Sequence, residues 1–420
     1  MREMKPSSME WVGDIPASWK VMPNKYLMYK KKEICPVYNG EDILSLTMKG
    51  VIVRDLDAGG KMPTSFDGYQ RLEPGNLLMC LFDIDVTPRC IGLIKQTGLS
   101  SPAYSQFVLC DNANAAYYCY YYTMLDNDKT LLHLAKNLRH SLTEDQLGAI
   151  PVIVPPMDEQ QRIADFLDTK CAEIDALTAD IQTQIDTLEQ YKQSVITETV
   201  TKGLNPNAEM RGSGIQWIGN MPSSWSVLKG KYMFAQRSLR GNSIELQLLS
   251  PTQKFGVIPQ TRYEELSGMN AVKLSEKADL SLFKTIHKGD FCISLRSFQG
   301  GFEYSEYEGV VSPAYQVFYP TVEIADGYYR YLFKEQGFIE KMNSYTMTLR
   351  DGKNIAFSDF GNTYIPYPPL TEQSEIAAYL NSKCAQINAL ITEKHQQLAT
   401  LDEYKKSLIF EYVTGKKEVV

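Results

Sequence analysis

Apolar residues recur every seven positions through one stretch of this chain. Leu167, Ile174, Ile181, Leu188 and Val195 mark the period, and Leu177, Gln184 and Tyr191 follow at a spacing of three. That spacing reads as the a/d seam of a coiled coil. No Pro or Gly interrupts residues 157–202, which predicts one long helix opened by Pro155-Pro156 and stopped at Gly203. The pattern returns 213 residues later, where Leu380, Ile387, Leu390, Leu401 and Tyr404 form the second seam behind Pro368-Pro369. Lys170-Cys171-Ala172 becomes Lys383-Cys384-Ala385, and Tyr191-Lys192 becomes Tyr404-Lys405. This is an internal duplication. Ile181 gives way to Lys394 in the second copy, either as a register-setting polar position or as a lysine that snorkels from a loose stretch.

The remaining chain is also duplicated, though more loosely. Trp11-Val12-Gly13-Asp14-Ile15-Pro16-Ala17-Ser18-Trp19 returns as Trp217-Ile218-Gly219-Asn220-Met221-Pro222-Ser223-Ser224-Trp225. Large rings around a Gly and a Pro suit an irregular segment pinned by aromatic burial rather than a base-stacking surface. Between lead-in and helix, runs such as Asn76–Phe82 and Ala149–Val154 read as strands, with counterparts at Phe291–Leu295 and Thr363–Tyr367. Helical patches are expected over Ala115–Leu125, Lys129–Asn137 and Gly327–Asn343. The expected fold is therefore α+β. A mixed, strand-rich domain followed by a long helix occurs twice in tandem, and the two helices pair as an antiparallel coiled coil. The expected divisions are residues 1–154, 155–203, 204–367 and 368–420. Some 40 residues per helix make a rod of ~60 Å, enough to hold two domains in successive major grooves of a duplex.

Composition narrows the functional classes. The net charge of −7 sits almost wholly on the helical stretches: ten acids against four bases in residues 155–203, and six against five in residues 368–416. The two domains are close to neutral, so a positive face on either remains open. No apolar run reaches the ~18 residues of a membrane span. The first sixteen residues lack the apolar core of a signal peptide. Eight Cys without a C-x-x-C pair fit reduced, structural thiols and a cytoplasmic location.

Catalytic patterns are missing. Each Gly-Lys pair continues into Met62, Tyr232, Asn354 or Lys417, so no phosphate-binding P-loop is present. No G-x-G-x-x-G follows a strand, and no Asn-Pro-Pro-Tyr occurs. Four scattered His lack ligand spacing, and the Asp83/Asp85 pair suits a turn better than a metal. Neither catalytic nor metal residues are expected. What the chain does carry are cations in turns beside amide and hydroxyl groups, the elements of phosphate and base-edge readout. Arg89 and Arg296 follow equivalent strands, the latter close to Gln299. Arg139 and Arg350 precede equivalent final strands, with Lys353 beside the second. The run Lys30-Lys31-Lys32 is a further candidate for phosphate contact.

The paired Pro-Pro-x-x-Glu-Gln openings, the two W-x-G-x-x-P-x-x-W lead-ins and the alternation of domain and helix resemble the specificity subunits of type I restriction–modification systems. That resemblance implies a non-catalytic, sequence-specific subunit that binds double-stranded DNA. Each domain would read one half of a bipartite site. The helices would act as spacer and as docking platform for two adenine-specific methyltransferase subunits, with restriction or translocase subunits as further partners. S-adenosylmethionine and ATP with Mg²⁺ would then belong to the partners, and this chain would bind no cofactor. The competing reading is a coiled-coil scaffold presenting two protein-interaction domains. The recognised DNA and its spacer length are not readable from the residues.

Overall fold

The computed structural model describes residues 2–58, 63–135, 140–241, 247–268, 280–293, 301–345 and 355–419. Two long helices, Met157–Lys202 and Leu370–Val413, run where the seven-residue period places them. The compact units cut across both helices: residues 1–182 with 395–420 form one, and 183–394 the other. Each unit thus holds the start of one long helix and the end of the other.

The first unit is built from antiparallel pairs. Its central sheet orders Met28–Lys31, Ser105–Leu109, Leu77–Met79 and Ile91–Leu93. Lys20–Pro23 pairs with Pro151–Val154, so the strand after the lead-in meets the strand that feeds the long helix. The second unit repeats this strand for strand. Phe234–Gln236, Gln316–Pro320, Phe291–Ile293 and Phe302–Tyr304 form its sheet, and Ser226–Lys229 pairs with Tyr364–Tyr367. The expected helical patches are present as Ala115–Asn127, Thr130–Leu134, Asp326–Leu332 and Gln336–Ser344. The mixed, strand-rich α+β class is what the structure shows.

The helices run antiparallel within each unit. In the first, Phe166 packs on Tyr412 and Lys405 reaches Asp175 at 2.6 Å. In the second, Lys192 donates to Asn388 at 2.8 Å. Leu167, Ile174, Ile181, Leu380 and Ile387 are buried, and Leu188 and Leu401 are half-buried. The other seam positions differ from the expectation. Leu177, Tyr191, Leu390 and Tyr404 are 47%, 47%, 48% and 54% exposed. The positions one residue further on do the packing: Cys171, Ile185 and Cys384 are buried, and Thr178, Ile391 and Leu398 half-buried. A seven-residue period can be completed by a step of three or of four, since both neighbours lie on one helix face. Here the step after the recurring apolar residue is four.

The Pro-Pro-x-x-Glu-Gln motif is the joint between helix and domain. The side chain of Gln160 is fully buried; it accepts from the Asn114 backbone N–H at 2.8 Å and donates to the carbonyls of Asn112 and Pro155. Asn114 in turn caps helix Ala115–Asn127 by accepting from the Tyr117 N–H. Gln373 does the same in the second unit, accepting from Ala325 N–H and donating to the Pro368 carbonyl. The neighbouring Glu accepts from the second Trp of each lead-in, Trp19 to Glu159 at 3.0 Å and Trp225 to Glu372 at 2.8 Å. Both of these Trp are buried, as the sequence reading expects.

Replacing Gln160 or Gln373 by Ala leaves buried backbone groups unpaired, at ~1–3 kcal/mol per variant. Hydrogen exchange should show faster amide exchange over residues 112–118 in Gln160→Ala and over residues 325–329 in Gln373→Ala. Wild-type protection in both variants would mean that the glutamines are not what ties these helices down.

Candidate nucleic-acid interface

The first unit brings its two candidate loops together. After strand Leu77–Met79 the chain turns through Asp83, whose φ is +47°, while His140 leads into helix Glu144–Ala149 with φ +44°. The Ile84 N–H donates to the His140 carbonyl at 3.2 Å, and the Leu142 N–H to the Leu81 carbonyl at 2.8 Å. His140 also lies 3.0 Å from Asp85, a hydrogen bond that holds the Asp85 carboxyl below its ordinary range. The turn that leads to Arg89 and the stretch that begins at His140 are therefore neighbours; Arg139 lies outside the described residues. Arg296, Gln299, Arg350 and Lys353 also lie outside them.

Arg89 faces inward. Its guanidinium donates to Asp126 at 3.2 Å and to Asn127 at 2.9 Å, and Asp126 is buried and also held by Lys129 and the Cys90 N–H. Removing one partner of such a buried pair is costly, so this arginine is committed to the loop's own structure. Lys30 and Lys31 lie on the edge strand of the central sheet and pair with Glu144 and Glu73. Lys32 is exposed, and no acid is found within ion-pair distance of it among the described residues. Of the candidates that can be examined, Lys32 is the one left open to a ligand.

Reading turns and punctuation alone misses several residues that shape these surfaces. Arg237 grips the buried Asp290 through two hydrogen bonds of 2.6 and 2.9 Å, fixing the start of strand Phe291–Ile293. Glu303 is buried beside Lys334, and burial pushes its carboxyl up to about 7 despite that cation. Tyr117-Tyr118-Cys119-Tyr120 and Tyr328-Tyr329-Arg330-Tyr331 form matching sets. Tyr117 donates to the carbonyl of Val413 and Tyr328 to that of Val200, while Tyr118 and Tyr329 donate to Ile153 and Pro366. Tyr120 and Tyr331 reach Asp168 and Asn381 on the long helices. The signal available was the repetition of three tyrosines at one offset. Among the described residues no cluster of three or more His, Cys, Asp or Glu is placed to hold a metal. No helix among them is long and apolar enough to cross a membrane.

Comparison with known proteins bears on this architecture. The family described as the type I restriction modification DNA specificity domain matches residues 101–187 and 232–400, more than half of the chain. The type I restriction enzyme MjaVIII specificity subunit of Methanocaldococcus jannaschii is 26% identical over 287 residues, which cover 64% of this chain and 63% of that protein. The MjaX specificity subunit, assigned to the same enzyme class in that organism, is 23% identical over 291 residues, or 66% of this chain and 62% of the relative. These matches thus span under two thirds of the relatives' length. Among solved structures, a chain of a type I R-M system described for complex assembly and conformational transition has a TM-score of 0.69 at 15% identity, covering 96% of this chain and 99% of its own. The HsdS subunit from Thermoanaerobacter tengcongensis has a TM-score of 0.52 at 15% identity, covering 98% and 100%. At such identities the structural likeness speaks for the fold alone. The family match is what decides membership, and by it this chain belongs to the type I restriction modification DNA specificity domain family.

Proposed function

We propose that this chain is the DNA-reading subunit of a type I restriction–modification complex, with one recognition unit for each half of a bipartite site. The observation that carries this reading is a duplicated scaffold whose joints are the same while its surfaces differ. The lead-in, the Gln and Glu of the helix opening and the Tyr cluster recur in both units. The ion pairs behind the loops differ: Arg89–Asp126 belongs to the first unit, and where the second unit has Arg237 on the buried Asp290 the first has Lys31 on the half-exposed Glu73. Two differently finished faces on one framework suit two different base sequences. On this reading the paired helices set the distance between half-sites and receive methyltransferase subunits. S-adenosylmethionine, ATP and Mg²⁺ are then handled by the partners.

The chain on its own should neither methylate nor cut DNA. Incubating the purified chain with duplex DNA and labelled S-adenosylmethionine should transfer no methyl group above background. Transfer by the partner-free chain would overturn its assignment as non-catalytic.

Arg139→Ala and Arg350→Ala should each weaken specific binding by ~1–3 kcal/mol through loss of a base-edge contact. Each should relax sequence preference in one half-site and leave the other intact. Equal affinity of both variants and wild type at one salt concentration would return these arginines to the solvent.

Inserting one heptad after Ile181 and another after Lys394 preserves the seven-residue seam and lengthens the helices by ~10.5 Å. Along duplex DNA at ~3.4 Å per base pair this equals about three base pairs. Selection from a random-spacer library should return the same half-sites with a longer separation, and weaker binding from the added twist. Unchanged spacing with full affinity would show that the helices do not set the distance.

A further inference from the structure

A protein that reads two different half-sites on one duplex meets different bases but the same phosphate backbone. Phosphate contacts position a protein, whereas base contacts specify. An exposed hydrogen-bond donor that recurs on the shared framework, outside the loops that differ between the units, is therefore a candidate for the backbone. Some recurring cations of the two domains are spent internally. Lys5 and its counterpart Arg211 donate to the carbonyls of Ala17 and Trp225. Lys31 and its counterpart Arg237 pair with Glu73 and Asp290.

Lys25 and Lys231 form a recurring pair that is not spent in this way. Lys25-Tyr26 and Lys231-Tyr232 occupy the same short helical turn in the two units, just before the edge strand of each central sheet. Tyr26 is 61% exposed and Tyr232 63%, and both lysines are exposed. Each ammonium lies over its neighbouring ring, at 5.1 Å and 5.5 Å from the centroid. Among the described residues neither has a carboxylate within ion-pair distance; the nearby Glu144 is engaged by Lys30. The next residues, Leu27-Met28 and Met233-Phe234, are buried and anchor the turn. Core packing accounts for those anchors but not for a tyrosine kept mostly in water.

The backbone is shaped around the pair. A Cβ added at Gly148 would stand 3.3 Å from the Cβ of Lys25, and one at Gly361 3.3 Å from the Cβ of Lys231. In both units a short helix, Glu144–Ala149 or Phe357–Asn362, thus brings a glycine against the lysine stem. That close contact limits where the stem can go and leaves the ammonium and phenol outside.

We propose, on the reading that the chain binds duplex DNA, that Lys25-Tyr26 and Lys231-Tyr232 are sequence-independent phosphate clamps, one per recognition unit. Each would present an ammonium and a phenolic O–H to phosphate oxygens. Their chemistry favours phosphate over a protein surface because both exposed heads are hydrogen-bond donors and one is a cation.

The test is the salt dependence of binding by the full chain to a mixed-sequence duplex. Lys25→Gln and Lys231→Gln should each lower the slope of log K against log salt by about 0.9. Tyr26→Phe and Tyr232→Phe should weaken binding a few-fold with no change of slope. Half-sites selected from a random library by all four variants should match the wild type. If the wild-type chain binds no duplex, the DNA-reading assignment fails and takes the clamp with it. If the wild type binds and the lysine variants keep its slope, the clamp alone is overturned. An unchanged slope together with lost co-purification of methyltransferase subunits overturns it in favour of a protein contact. Altered half-site preference overturns it as well, since the pair would then be reading bases.

Discussion

The structure depends on the polar bonds by which each unit ties down one long helix where it begins and the other where it ends. The last four carbonyls of a helix lack partners within it. In the first unit Tyr117 donates to Val413, near the end of the second long helix, while Gln160 and Glu159 at the start of the first bond Asn114 and Trp19. The second unit repeats this with Tyr328 on Val200, Gln373 on Ala325 and Glu372 on Trp225. The helix ends are tight. Gly203 and Gly415 adopt φ of +76° and +71°, and an added Cβ would stand 2.7 Å from Glu372 in one case and 2.7 Å from the Trp19 ring in the other. A left-handed residue was needed to end each helix, and the approach of the indole and carboxylate leaves no room for a side chain.

These joints explain why the duplication is legible where it is. The Glu, Gln and second Trp of each motif recur because each has a fixed buried partner, and losing one strands another. Sequence reading found the motifs, the bounds of the first long helix and the strand-rich α+β domains from that recurrence, while the second helix, expected to reach residue 420, ends at Val413. It missed the tyrosines, because Tyr117 and Tyr328 act through a hydroxyl on a carbonyl almost 300 and 128 positions away in sequence. Nothing local marks such a bond. Their only trace was repetition.

The seam shows a different limit. Period seven was visible, but a step of three from Ile174 reaches Leu177 and a step of four reaches Thr178. Hydrophobicity favours Leu177, and packing chose Thr178. A lone leucine on the outer face costs little, since apolar surface is common on folded proteins. Arg89 illustrates a third limit. A turn arginine reads as an exposed hand, yet Asp126, which its guanidinium meets, sits 37 residues later on a helix. Charge partners that converge through topology cannot be read from a turn alone, so that candidate turned inward while Lys32 remained open.

The distribution of charge bears on how such a chain could hold nucleic acid at all. With a net charge of −7, concentrated on the helices, long-range attraction toward a polyanion has little to draw on. At physiological ionic strength fields fade over ~8 Å, so what counts is the sign of charge at contact range. Several domain cations are neutralised there by their own acids: Lys30 by Glu144, Lys31 by Glu73, Arg237 by Asp290, Arg330 by Glu306. Other ammonium groups face outward, Lys20, Lys49, Lys95, Lys254 and Lys288 among them, so exposure alone says little and recurrence in both units is what makes a position informative. A lysine that stands alike in both units constrains how a backbone can lie, while discrimination is left to the loops that differ.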